Sequence, residues 1–178
     1  EKEKVLLERE TDELRTMTVN VTGPHSFRLL AVWAANDWSG IREREEGTPI
    51  GPVRRAIARH ERWLRKGPSV VAGDFNHNAI WDKPLRPDSH TYAVADLTTI
   101  GLSSAYHRAR GCAQGSEPEP TFYMQRNEAK PYHLDYVFVP DAWNVDSVRV
   151  GPYDRYCQKR ADGGLSDHAP LEVDVAPT

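Results

Sequence analysis

Short apolar runs alternate with longer amphipathic and polar stretches along this chain, and that rhythm predicts a mixed α/β fold. Thr16 to Thr22 sets β-branched side chains at alternate positions, the period of a strand. Phe27 to Trp33 is nearly all apolar, as expected of a strand covered on both faces. After Gly51-Pro52, the residues Val53, Ala56, Ile57, His60, Trp63 and Leu64 recur at helical spacing and predict an amphipathic helix. Pro52 suits its first turn, and Gly67-Pro68 stops it. Ser69 to Gly73 predicts a short buried strand, Thr91 to Ile100 a helix closed by Gly101, and the Gly-, Pro-, Ser- and Glu-rich stretch from Gly111 to Pro120 a loop. His133 to Val139 predicts a strand ended by Pro140; Val145 to Val150 and Leu171 to Val175 predict the last two. With no internal repeat and no second boundary, residues 16–178 are expected to form one domain. Residues 1–15 form a charged amino-terminal segment whose one apolar run is Val5, Leu6 and Leu7, and the expectation there is a frayed terminus rather than a helix.

Composition changes this picture in three places. The formal net charge is −3, so the molecule as a whole does not attract polyanions, and any phosphate binding must come from a local patch or a bound cation. No apolar run approaches the roughly 20 residues needed to span a bilayer, so no membrane contact is expected. Cys112 and Cys157 lack metal-ligand spacing; a reduced pair in a cytoplasmic protein is the expectation, with a single disulfide left open.

The candidate chemistry lies in three polar clusters beside apolar strands: Gly73-Asp74-Phe75-Asn76, His133-Leu134-Asp135-Tyr136, and Ser166-Asp167-His168. Carboxylates, an amide and imidazoles at buried strand ends are costly unless they are paired or coordinated. A fold tolerates them where they converge on one site. Each cluster alone has a bland reading: Asp-x-Asn after a strand forms turns with its own backbone, and an Asp-His pair forms loop contacts. The arginines at 54, 55, 59, 62 and 65 read as a solvated helix face more readily than as a nucleic-acid grip. Trp81 could stack on a base, but a buried tryptophan anchoring its loop is the plainer expectation.

In order and context, the three clusters resemble the signature of the endonuclease/exonuclease/phosphatase superfamily. Pro120-Thr121-Phe122 ahead of the second cluster and Trp33-Ala34-Ala35-Asn36 at a strand end are similar to the exonuclease and abasic-endonuclease branch. The resemblance implies two packed, mainly antiparallel β-sheets flanked by helices, a four-layer sandwich, with its amino-terminal side open to being incomplete. It implies Asp74 as the carboxylate that orients or deprotonates a water, and Asn76 as the group that holds Asp74 and a phosphate oxygen. His168 would bond the phosphate oxygen whose charge grows, and Asp135 would keep His168 protonated. Asp167 would be a metal carboxylate. Asn36, Trp33, Asn78 and His133 would contact substrate. Magnesium or manganese is the implied cofactor, because oxygen-rich ligands favour hard cations.

The implied activity is metal-dependent phosphodiester hydrolysis, with a nucleic acid as the foremost substrate. Phosphomonoester or lipid-headgroup hydrolysis is the alternative within the same chemistry. A calcineurin-like reading of Gly73-Asp74 lacks its partner motifs. Family members begin with strands carrying an asparagine and a metal-binding glutamate, and neither is recognisable here; Glu8 and Glu10 sit in the charged segment. A fragment, a partner chain and a non-catalytic binding module that keeps the fold all remain open. Weak metal binding and a homodimer through exposed sheet edges are expected from such an incomplete sandwich.

Overall fold

The computed structural model describes residues 5–6, 15–34, 50–161 and 163–178. Its strands are β1 (Val5–Leu6), β2 (Thr16–Val21), β3 (Phe27–Trp33), β4 (Ser69–Asp74), β5 (Leu102–Ser104), β6 (Phe122–Tyr123), β7 (Pro131–Tyr132), β8 (Asp135–Pro140), β9 (Asn144–Val150) and β10 (Leu171–Ala176). Its helices are α1 (Gly51–Leu64), α2 (His90–Thr99), α3 (Ala105–Arg110) and α4 (Tyr153–Tyr156). Every strand and helix expected from the pattern is present within a residue or two. The short elements β1, β5, β6, β7, α3 and α4 add to them. Within the amino-terminal segment, the backbone of Val5–Leu6 pairs with Asn20 and Val21 as an edge strand.

Six strands form the main sheet in the order β1-β2-β3-β4-β8-β5; β9 and β10 form a second sheet, and β6 and β7 a small ribbon. Within the main sheet only β3 and β4 run parallel, joined by the crossover through α1. Val70 and Val71 show how one strand serves two cores. Successive side chains leave a strand on opposite faces. Val71 joins Leu30, Val53, Ile57, Leu97 and Phe138 beneath α1 and α2. Val70 joins Val139, Trp143 and Val148 against the β9–β10 sheet. The molecule is therefore two packed sheets with helices, as expected.

The arginine face of α1 is partly spent inside the fold. The Arg54 guanidinium forks onto Asp96 of α2, with Nε donating at 2.6 Å and Nη2 at 3.2 Å. Arg65 donates to Glu61 one turn back and to the Thr99 carbonyl. Cys112 and Cys157 are free thiols, so the disulfide option is not taken. No helix among the described residues is long and apolar enough to cross a membrane.

Candidate active site

The parallel pair β3–β4 ends at Trp33 and Asp74, and the antiparallel strand β8 starts at Asp135 on the same edge. Four residues turn that edge into a site. Gly73 has φ +138°, and a Cβ there would lie 1.9 Å from the Val32 carbonyl oxygen, so only glycine lets β4 approach β3 this closely. Asp74 follows as the last residue of the strand. Phe75 turns inward, 1% exposed, and stacks on Phe138 at 5.7 Å. Asn76 takes a left-handed φ of +52°, which asparagine tolerates better than most residues. Its backbone N–H donates to one oxygen of Asp74 at 2.8 Å, and its side-chain amide to the other at 2.9 Å. The same amide also donates to the Ala34 carbonyl at 2.6 Å, tying the end of β3 to the carboxylate.

The other two clusters close on this one through Thr121. Its buried hydroxyl accepts the N–H groups of Leu134 and Asp135, each at 3.0 Å, and its carbonyl accepts the Ala169 N–H at 2.7 Å. The Leu134 carbonyl accepts the Phe75 N–H. Ser166 caps its own turn by accepting the His168 N–H. As a result Asp135 Oδ2 lies 2.8 Å from His168 Nδ1, and His168 Nε2 lies 3.9 Å from Asp74 Oδ2. Residues 61 and 33 positions apart in sequence from Asp135 to Asp74 and His168 thus meet at one sheet edge.

The electrostatics follow from this geometry. Asp74 and Asp135 are directly opposed across β4–β8, an arrangement that like charges resist. Burial, then the Asp135 charge, pushes the Asp74 carboxyl up to about 6, although the Asn76 N–H and His168 pull the other way. Burial alone would lower His168. The hydrogen bond His168 donates to Asp135 and the charges of Asp135, Asp74 and Asp167 outweigh it and raise the imidazole above its ordinary value. The arrangement pairs a carboxylate poised near neutrality with an imidazole that holds its proton.

Asp74, Asp135 and His168 each present one donor atom, and the three atoms lie within 4.8 Å of one another. The two carboxylates suit a hard divalent cation, which would relieve the Asp74–Asp135 repulsion, whereas a His168 that keeps its proton offers such an ion no lone pair. Asp167 stands apart from this trio. Its carbonyl accepts the Tyr123 N–H, and its charge is felt by both Asp74 and His168. Trp33 is 57% exposed at the end of β3, beside Asp74, with the Arg15 guanidinium 4.6 Å over its ring. Asn36 lies outside the described residues.

Two expected substrate contacts need correction. Asn78 is 2% exposed: its amide donates to Glu117, the His133 carbonyl and the Tyr136 hydroxyl, and its oxygen accepts the Ile80 N–H. His133 is 4% exposed, its Nδ1 bonded to the Glu119 carbonyl and its ring packed on Tyr106. Asn78 is a support, its amide spent on holding loops together, and His133 is buried with only its Nδ1 bonded, its Nε2 having no hydrogen-bond partner among the described residues. Trp81 goes the other way. The plainer expectation buried it, yet it is 50% exposed and packs on Tyr132.

Glu117 escaped the sequence reading altogether. It lies in the Gly- and Pro-rich loop, where a charge reads as solvated. Its carboxylate is nonetheless buried, receiving His107 Nε2 and the Gly115 N–H, each at 2.9 Å, together with Asn78. The sequence gives little sign of it, since two of its three donors, His107 and Asn78, come from other elements.

A family model described as the Endonuclease/Exonuclease/phosphatase family matches residues 45–168. No curated protein matches the chain in sequence. Among solved structures, the 3′ phosphatase NExo from Neisseria, bound to a product DNA hairpin, resembles it with a TM-score of 0.62 at 19% identity over 93% of this chain and 66% of that one. The endonuclease domain of a telomere-specific non-LTR retrotransposon does so with a TM-score of 0.55 at 18% identity over 98% of this chain and 67% of its own. A mannosyl-6-phosphatase from Bacteroides thetaiotaomicron is similar with a TM-score of 0.59 at 17% identity over 90% of this chain and 56% of its own. These are likenesses of fold. The chain spans 66%, 38% and 55% of the first three structures it matches.

Proposed function

The chain belongs to the endonuclease/exonuclease/phosphatase family, whose model covers more than half of it, and from that membership we propose that it is a divalent-metal-dependent phosphodiester hydrolase acting on nucleic acid. The observation that carries this reading is the convergence of Asp74, Asn76, Asp135 and His168 at one sheet edge. Asp74 orients the attacking water and takes its proton, as a carboxylate held in place by two Asn76 hydrogen bonds can. Asn76 fixes the Asp74 oxygens. His168, kept protonated by Asp135, donates through Nε2 to the phosphoryl oxygen on which charge accumulates. Attack is direct, with no covalent intermediate on the protein. A magnesium or manganese ion held by Asp74 and Asp135, with Asp167 as a further carboxylate, would neutralise phosphoryl charge when bound. The likeness to a DNA-bound phosphatase supports a nucleic-acid substrate. The likeness to a mannosyl-6-phosphatase favours phosphomonoester hydrolysis as the second reading. A homodimer through the edges of the β9–β10 sheet belongs to the same proposal and is checked by sedimentation.

The test is cleavage of plasmid DNA, RNA and a chromogenic phosphodiester, with magnesium or manganese and with chelator, beside His168→Ala and Asp74→Asn. Metal-dependent cleavage that both variants lose is the expected result. A folded protein with no more activity than the variants overturns the hydrolase and leaves a binding module. Preference for a phosphomonoester over every diester selects the second reading.

A further inference from the structure

Trp81 is half exposed, yet it stands between two of the most firmly held polar side chains in the protein. On one side, buried Asn78 bonds Glu117, His133, Tyr136 and Ile80. On the other, buried Asp82 accepts the N–H groups of His90 and Thr91 at 2.9 and 2.7 Å and the Thr91 hydroxyl at 2.6 Å, clamping the loop to the start of α2. Leaving an indole in water forgoes the gain that burying its large apolar face would bring. A loop pinned on both sides of an outward tryptophan is not a loop that the tryptophan anchors.

The ring is also continuous with the catalytic imidazole. His168 packs on Phe122 at 4.7 Å, Phe122 faces Tyr132 across the β6–β7 ribbon at 6.4 Å, and Tyr132 packs on Trp81 at 5.3 Å. Ile80, 49% exposed, and Tyr132 also line a cleft beside this row. Lys83 and Lys130, both exposed, lie two residues along the chain from Trp81 and from Tyr132, which puts cationic side chains within reach of this aromatic surface on a protein of net negative charge. Planar apolar surface bordered by cations is the chemistry that takes unpaired nucleobases and their phosphates.

We propose that Trp81, backed by Tyr132, is a stacking platform for an unpaired nucleobase near the scissile phosphate, so that the substrate enters as single-stranded nucleic acid or a frayed end. The proposal rests on the hydrolase reading for its substrate class, but binding without turnover tests it. In chelator, the affinities of a mixed-sequence eight-nucleotide single strand and of an abasic octamer with the same phosphates are compared for the wild type, Trp81→Ala and Trp81→Phe. The wild type is expected to prefer the base-bearing strand by roughly 5- to 150-fold, the range of one base–aromatic stack. Trp81→Ala should erase that preference while keeping its affinity for the abasic strand and its melting temperature, and Trp81→Phe should keep most of it. Equal or absent binding of the two strands by the wild type, or an undiminished preference in Trp81→Ala, overturns the platform. If discrimination is seen and cleavage is not, the platform stands and the hydrolase falls.

Discussion

Two groups of imidazoles and carboxylates lie one above the other in this molecule and behave in opposite ways. At the sheet edge, His168 is raised because burial is outweighed by Asp135, Asp74 and Asp167. Beneath it, burial, helped by His90, pushes His77 down to about 3. The His77 and His90 rings share a hydrogen bond at 2.8 Å between their Nδ1 atoms, so one donates and the other accepts, which requires at least one to be neutral. Glu117 offers the reverse case to Asp74. Burial would raise it, but bonds from His107, Gly115 and Asn78 hold it at about 2, whereas burial and Asp135 lift Asp74 to about 6. The lower group is satisfied and serves stability. The upper group keeps charge and repulsion unsatisfied within the protein, which is the state a substrate or cation can use.

The largest expected effect is on rate. His168→Ala and Asp74→Asn should each reduce metal-dependent cleavage by about 10²- to 10⁴-fold while leaving the melting temperature near wild type. A large stability loss in either would erase the contrast between the groups. The converse variant is Glu117→Ala, which strips the partner from His107 and from Asn78. A loss of about 3 kcal/mol by urea titration is expected. An unchanged midpoint would mean that the lower group does not support the fold.

Thr121→Val leaves the N–H groups of Leu134 and Asp135 without their acceptor. It should cost about 2 kcal/mol and also slow cleavage, since Thr121 ties the segment of Asp135 to the segment that carries His168.

The pH dependence separates the groups by sign. Asp74 binds its proton more tightly folded than unfolded, so its contribution to stability is present below about 3.8 and lost as pH rises through about 6. His77 binds its proton less tightly folded, so its contribution is present above 6.5 and lost as pH falls toward about 3. In chelator, Asp135→Asn should lower the His168 midpoint in an NMR titration and flatten the Asp74 slope, leaving His77 unchanged. A His168 midpoint that stays put would show that Asp135 does not hold the proton. The smallest effect belongs to the exposed face of β9. Arg149→Ala removes surface pairs with Glu172 and Asp174 and should change stability by less than about 1 kcal/mol, read from the same urea titration.

The sequence by itself determined the strands and helices with strong periodicity, because alternation at Thr16 to Thr22 and the apolar stripe from Val53 to Leu64 are local properties that burial then rewards. It also carried the catalytic candidates, since Gly73 through Asn76 writes its turn chemistry into four consecutive residues. Tertiary structure alone decided which polar residues face water. Asn78 and His133 went inside and Trp81 went out, because each outcome depends on partners drawn from distant segments. Glu117 is the sharpest case: a carboxylate in a Pro-rich loop is exposed by every local rule, and only His107 of α3 and Asn78, joining Gly115 of its own loop, make its burial affordable.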